Sequence, residues 1–156
     1  MRLRSLQRAA LAAIALLLLM AALVVASPGS GISPPSTRGD GVISGRFNVT
    51  TPHVVQLRSF GDLRVFDQEL TIGPNGHTGW HGHPGPVLVT VVSGTFRYQH
   101  TDCSYTDYGP GQTVVDTGQH VHIGRNPSGT ASTSLSITYL VPVGVPLRIE
   151  ADEISC

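Results

Sequence analysis

The sequence predicts an all-β domain, a sandwich or barrel of short strands, and two observations carry that expectation. Residues 27–156 hold 36 Val, Ile and Thr, all 18 Gly and all 11 Pro, but only two Ala (Ala131, Ala151) and three Glu (Glu69, Glu150, Glu153). β-Branched side chains suit a pleated, half-buried surface and Gly and Pro supply turns, whereas strong helix formers are nearly missing. In the same stretch apolar residues recur with period two or in short clusters between turn signals, and no run has the helical period.

Taken in order, the chain opens with Arg2, Arg4 and Arg8, followed by 18 consecutive Ala, Val, Ile, Leu or Met from Ala9 to Ala26. A basic start, an apolar core and a small-residue end at Val24-Val25-Ala26 are expected of a secretory signal peptide over residues 1–26. The run is also long enough to serve, uncleaved, as an N-terminal membrane anchor. Arginines at the N-terminal flank keep that end in the cytoplasm, so both readings deliver the body outside, secreted or anchored. Membrane contact is then expected only through residues 9–26, if the segment stays. Residues 27–41, SPGSGISPPSTRGDG, read as a flexible Pro/Gly/Ser linker.

The domain is expected over 42–156. Candidate strands are Val42–Asn48, Val54–Arg58, Leu63–Ile72, Val87–Val92, Thr95–His100, Thr113–Val115, Val121–Arg125 and Ser134–Val141, with an extended piece at Pro146–Ile149. Phe96 and Tyr98 alternate with Arg97 and Gln99, and Leu135, Ile137, Tyr139 and Val141 share one face, the pattern of half-buried strands. Ten Arg and no Lys balance ten Asp plus Glu, and the body has no basic run, so a nucleic-acid partner is not expected. Cys103, in a polar turn, and Cys156, the last residue, are an even pair in a chain read as exported, and a disulfide between them is expected.

The chemistry sits in the histidines. Among seven, His81-Gly-His83 and His120-Val-His122 have the i, i+2 spacing that puts two imidazoles on one face of a strand. Imidazole is the commonest ligand for Zn, Fe, Ni and Cu, and two strands each giving a pair can surround one ion. A solvated or packed role is the ordinary reading of any single histidine, such as His77 in its Gly-rich turn.

The residues around these pairs resemble a family. Gly76-His-Thr-Gly-Trp-His81-Gly-His83-Pro-Gly-Pro-Val87, continuing to Gly94, resembles the first cupin motif, G-x5-H-x-H-x3-4-E-x6-G, with Gly76 one residue closer to His81 than the motif has it. Gly109-Pro-Gly111 and the stretch from Asp116 through Gly118 to His122 and Asn126 resemble the second, G-x5-P-x-G-x2-H-x3-N. The resemblance covers about Leu63 to Val141 and implies a cupin-like jelly-roll barrel, the double-stranded β-helix, holding one divalent transition metal (Fe, Mn, Zn, Ni or Cu). It also implies a small-molecule ligand or substrate and, by analogy, a homodimer.

Two departures bear on the site. The motif glutamate is Val87 here, on the same face as His81 and His83 by parity, so an apolar side chain stands where a carboxylate would. The second motif has an extra residue before His122 and Asp116 in place of its proline. The implied ligand set is therefore His81, His83 and His122, with His120 as the candidate fourth. Val87, Trp80, Tyr98, His100 and Tyr139 are expected to line the pocket, and no catalytic acid or base is readable. A G-x-S-x-G hydrolase elbow is absent. Two functional classes follow: a metal-dependent enzyme on a small organic molecule, oxygenase-type before isomerase-type, and an exported binding barrel without catalysis.

Overall fold

The structure is a computed structural model that describes residues 26–53 and 55–156, so the segment expected to be a signal or anchor lies outside the described residues but for Ala26. The described residues form thirteen strands and no helix. In chain order these are β1 (Ser30–Ile32), β2 (Ser36–Ile43), β3 (Phe47–Thr50), β4 (Gln56–Ser59), β5 (Leu63–His77), β6 (His81–Gly82) and β7 (Val87–Ser93). They continue as β8 (Phe96–His100), β9 (Tyr105–Tyr108), β10 (Thr113–Asp116), β11 (His122–Arg125), β12 (Thr133–Pro142) and β13 (Ile149–Glu150).

Eleven strands join one antiparallel sheet in the order β10-β7-β12-β5-β11-β6-β13, with β1 and β2 on β5 and the β8–β9 pair on β11. The sheet nearly closes on itself because β5, 15 residues long, pairs with strands at both its ends. Its first part, Leu63 to Ile72, lies between β12 and β2, and its far end brings His77 opposite Arg125 of β11. The result is a nearly closed all-β barrel. Closure removes most of the open strand edges that would otherwise template aggregation.

Alternation decides which side chains fill the barrel. Along β12, Leu135, Ile137, Tyr139 and Val141 are buried and their neighbours are not. They pack with Phe66, Leu70, Ile72, Val87, Val89, Val91, Phe96, Tyr98 and Val114 into one core. Asn126 ties the exit of β11 down: its side-chain amide lies 2.7–3.0 Å from the carbonyls of Ile72, Gly73 and Ala131, and its Oδ1 accepts from Ser128 N–H. The second-motif asparagine is thus a loop anchor here.

The linker expectation for residues 27–41 is corrected. Ser30–Ile32 and Ser36–Ile43 are strands on β5, and Ser27 Oγ accepts a 2.6 Å bond from Trp80 N–H. Gly79 is required for this contact, since at its φ of +75° an added Cβ would stand 1.9 Å from the Ser27 carbonyl oxygen. Composition misled because β2 buries almost no side chain; ladder bonds and exposed ion pairs, Arg64–Asp40 at 2.8 Å and Arg38–Glu69, hold it instead. The expected strand Val42–Asn48 is broken in two at Gly45, which has φ +78° and leads into the separate β3–β4 ribbon.

Cys103 and Cys156 stand at bonding distance, Sγ–Sγ 2.11 Å. The tail is also held by Trp80, whose Nε1 donates to Ile154 O at 3.1 Å and whose carbonyl accepts from Ala151 N–H. Among the described residues no helix is long and apolar enough to cross a membrane.

Candidate metal centre

β6 delivers His81, the chain leaving it delivers His83, and β11 delivers His122 directly opposite His81. One ring nitrogen from each lies within 4.8 Å of the others. Ring centroids are 4.4 Å (His81–His122), 4.9 Å (His81–His83) and 5.3 Å (His83–His122) apart. All three are buried, at 4–6 % exposure.

Backbone carbonyls decide which nitrogen each ring turns to its neighbours. His81 Nδ1 is 2.8 Å from Gly79 O, His83 Nδ1 is 2.8 Å from Leu147 O, and His122 Nδ1 is 3.3 Å from His120 O. A carbonyl oxygen can only accept, so each Nδ1 carries the hydrogen and each Nε2 keeps its lone pair. That is the tautomer a metal-binding histidine needs, with the other nitrogen hydrogen-bonded. Burial holds the rings neutral. It pushes His81 down to about 2, helped by the His122 ring and the Arg148 charge. It pushes His122 down to about 4 against the opposing pull of Asp116, and it lowers His83 as well. The 3.2 Å approach of Asp116 Oδ2 to His122 Nδ1 is therefore not an ion pair at neutral pH.

Aromatic rings brace the cluster. Tyr98 stacks on His122, with centroids 4.5 Å apart and planes 21° from parallel, and Tyr139 meets His83 edge-on at 5.6 Å. The Tyr139 hydroxyl accepts from Gln68 Nε2 at 2.7 Å. Burial raises both phenols, Tyr139 to about 12; for Tyr98 the Asp116 carboxylate adds to the rise.

The three histidines open into a cavity of about 460 Å³, within the range of small-molecule sites. Val87, Tyr98 and Tyr139 line it, with Leu70, Val89 and Ile137 making most of the wall apolar. Three expectations are corrected. His120 is exposed and outside the cluster: it lies in the turn before β11, next to Gln119 at φ +63°, where strand parity does not apply. His100 ends β8 exposed and faces a second depression of about 320 Å³, shared with His120. Trp80 is buried at 1 % but packs under the C-terminal tail, off the cavity wall.

Sequence reasoning also missed groups. Ile32 and Pro35, from the supposed linker, and Leu147 and Arg148, from the tail, close the cavity. Asp116 is buried at 3 % beside the cluster, and its only sequence signal was its place at the motif proline. Gly118, at φ +78°, turns the chain so that its N–H reaches Asp116 Oδ1 at 2.7 Å.

No family model matches the chain, and no curated protein matches it. Solved structures do. A double-stranded β-helix domain protein from Klebsiella pneumoniae is 18 % identical with TM-score 0.49, over 57 % of this chain and 76 % of that one. A cupin-like protein from Thermotoga maritima is 18 % identical with TM-score 0.49, over 62 % and 80 %. A cupin domain from Bordetella pertussis is 19 % identical with TM-score 0.45, over 64 % and 96 %. The likeness reported by these comparisons is to cupin-like, double-stranded β-helix structures, and at such identities it concerns the fold alone.

Proposed function

We propose that this is an exported barrel whose His81, His83 and His122 bind one divalent transition metal, and that it acts as a metal-dependent enzyme of the oxygenase type on a small organic molecule. The single observation that carries the reading is the convergence of three buried, neutral imidazoles. Each has Nδ1 committed to a backbone carbonyl and Nε2 left without a protein hydrogen. Three lone pairs gathered away from water are costly to keep unless something accepts them, and a divalent Fe, Mn, Zn, Ni or Cu ion does.

When bound, such an ion supplies Lewis acidity or a redox centre next to the cavity. The chain's residues supply the rest. The carbonyls of Gly79, Leu147 and His120 fix the ring orientations, and Tyr98 and Tyr139 hold the ring planes. The apolar wall of Leu70, Val87, Val89 and Ile137 excludes water and receives the hydrocarbon part of a ligand. Arg148 contributes the cationic edge: its guanidinium is tied to Glu150 and to Thr78 O at 3.0 Å. Export is supported by the Cys103–Cys156 pair, since disulfides persist in oxidising compartments. The almost wholly apolar wall also favours a second reading, a non-catalytic barrel that carries a small molecule.

Elemental analysis tests the first reading. The purified chain, stripped with chelator and dialysed against each ion, should take up one equivalent, and His81→Ala, His83→Ala and His122→Ala should each lose it while remaining folded. A chain that refuses all five ions would remove the enzyme hypothesis and leave the carrier.

A further inference from the structure

β10 runs antiparallel to β7, and the register puts Asp116 directly opposite Val87. Residues directly opposite in an antiparallel pair project to the same face, with Cβ atoms about 4.5–5.5 Å apart. Val87 is the position where the motif carries its glutamate. A carboxylate is therefore present on the same face of the barrel wall, one strand over.

The two oxygens of Asp116 have different surroundings. Oδ1 accepts the Gly118 N–H at 2.7 Å, which fixes the orientation of the carboxylate. Oδ2 is buried and has no close hydrogen-bond partner, the one such side-chain atom among the described residues, with the Tyr98 hydroxyl approaching the carboxylate more loosely. It lies 3.9 Å from His83 Nε2, the nitrogen left free by the Leu147 bond, and 3.2 Å from His122 Nδ1, the nitrogen that carries the hydrogen. The His122 N–H is directed at the His120 carbonyl and does not satisfy it. A buried carboxylate oxygen without a donor is among the most costly groups a protein can hold. Its natural complement is a cation at the edge of the cluster formed by His83 and His122.

We propose that Asp116 is the fourth, carboxylate ligand of the metal centre, so that the site is three imidazoles and one aspartate with the acid supplied from β10 instead of β7. The inference rests on the metal reading above and deepens it. It gives the loaded site one compensating negative charge, and it adds a hard oxygen donor that Mn favours more than Zn or Cu does. Val87 and Asp116 are then two halves of one exchange, an acid moved across a ladder rung with an apolar residue left in its place.

The test is equilibrium dialysis of Mn and of Zn against wild type, Asp116→Asn and the double variant Val87→Glu/Asp116→Asn. Asparagine keeps the size, and its Oδ1 retains the Gly118 bond, while an NH₂ group replaces Oδ2. Asp116→Asn should weaken Mn at least tenfold and Zn less, and the glutamate of the double variant should recover most of the Mn affinity. The EPR spectrum of bound Mn should differ between wild type and Asp116→Asn. Equal Mn affinity in wild type and Asp116→Asn would overturn this inference and leave the three-histidine site standing. Loss in Asp116→Asn that the glutamate does not restore would overturn it too, by making Asp116 a structural residue. Wild type that takes up neither ion would overturn the metal reading itself, and this inference with it. If the asparagine variant proves unfolded by circular dichroism, Asp116→Ser with and without Val87→Glu replaces it, judged by the same recovery.

Discussion

Acid should strongly destabilise the metal-free chain well before surface carboxylates titrate, and the size of the effect follows from three histidines. In the unfolded chain each imidazole takes up a proton below about pH 6.5. In the folded chain His122 does so only near 4 and His81 near 2, because both are buried. Between pH 6.5 and 5 the unfolded state therefore binds more protons than the folded state, and stability must fall as pH falls. Going from pH 7 to pH 5 costs about 2 kcal/mol for each of these two rings, about 4 kcal/mol together, and His83 adds in the same direction. Against a total of about 5–15 kcal/mol for a domain, that is a large share. The depressed carboxyls of Asp40, Asp102 and Asp107 lie on the surface and their contribution is lost only below about pH 4, outside the window. The assay is urea unfolding of chelator-treated protein at pH 7 and 5, beside a variant with His81, His83 and His122 all changed to Asn. Wild type should lose much of its stability and the triple variant far less. An unchanged urea midpoint in wild type, or an equal loss in both, would refute the claim that these rings are buried neutral.

Three further outcomes are expected. Cys103→Ser should cost about 4 kcal/mol by the chain-entropy estimate for a separation of 53 residues, read as a lower urea midpoint with wild type under reductant matching the variant. Two thiols that alkylate without reductant would show instead that no bridge forms. Val87→Glu should destabilise the metal-free chain by roughly 3–5 kcal/mol, because it buries a second acid opposite Asp116, and added Mn should restore the melting temperature. His120→Ala should leave metal uptake unchanged, since the residue stands exposed outside the cluster; loss of metal in that variant would put the ligand set wrong by one.

The barrel was legible because side-chain alternation reports burial, and Leu135 to Val141 or Phe96 to Tyr98 could face only one way. The segment 27–41 was not, because β1 and β2 are held by backbone ladders that composition does not record. His81, His83 and His122 were readable from spacing within a strand and from motif resemblance. His120 failed because the same spacing carries no parity in a turn, and His100 because alternation continues past the point where β8 leaves the cavity. Asp116 was visible only as a departure from a motif. Its meaning lies in a cross-strand register with Val87 that pairs residues 29 positions apart, and no local pattern specifies that register.

The most direct measurement of the central claim is anomalous diffraction from crystals of the metal-loaded chain. One anomalous peak per chain is expected, bonded to Nε2 of His81, His83 and His122 at about 2.0–2.2 Å. A peak elsewhere, or none at this cluster under conditions that load the protein, would contradict it.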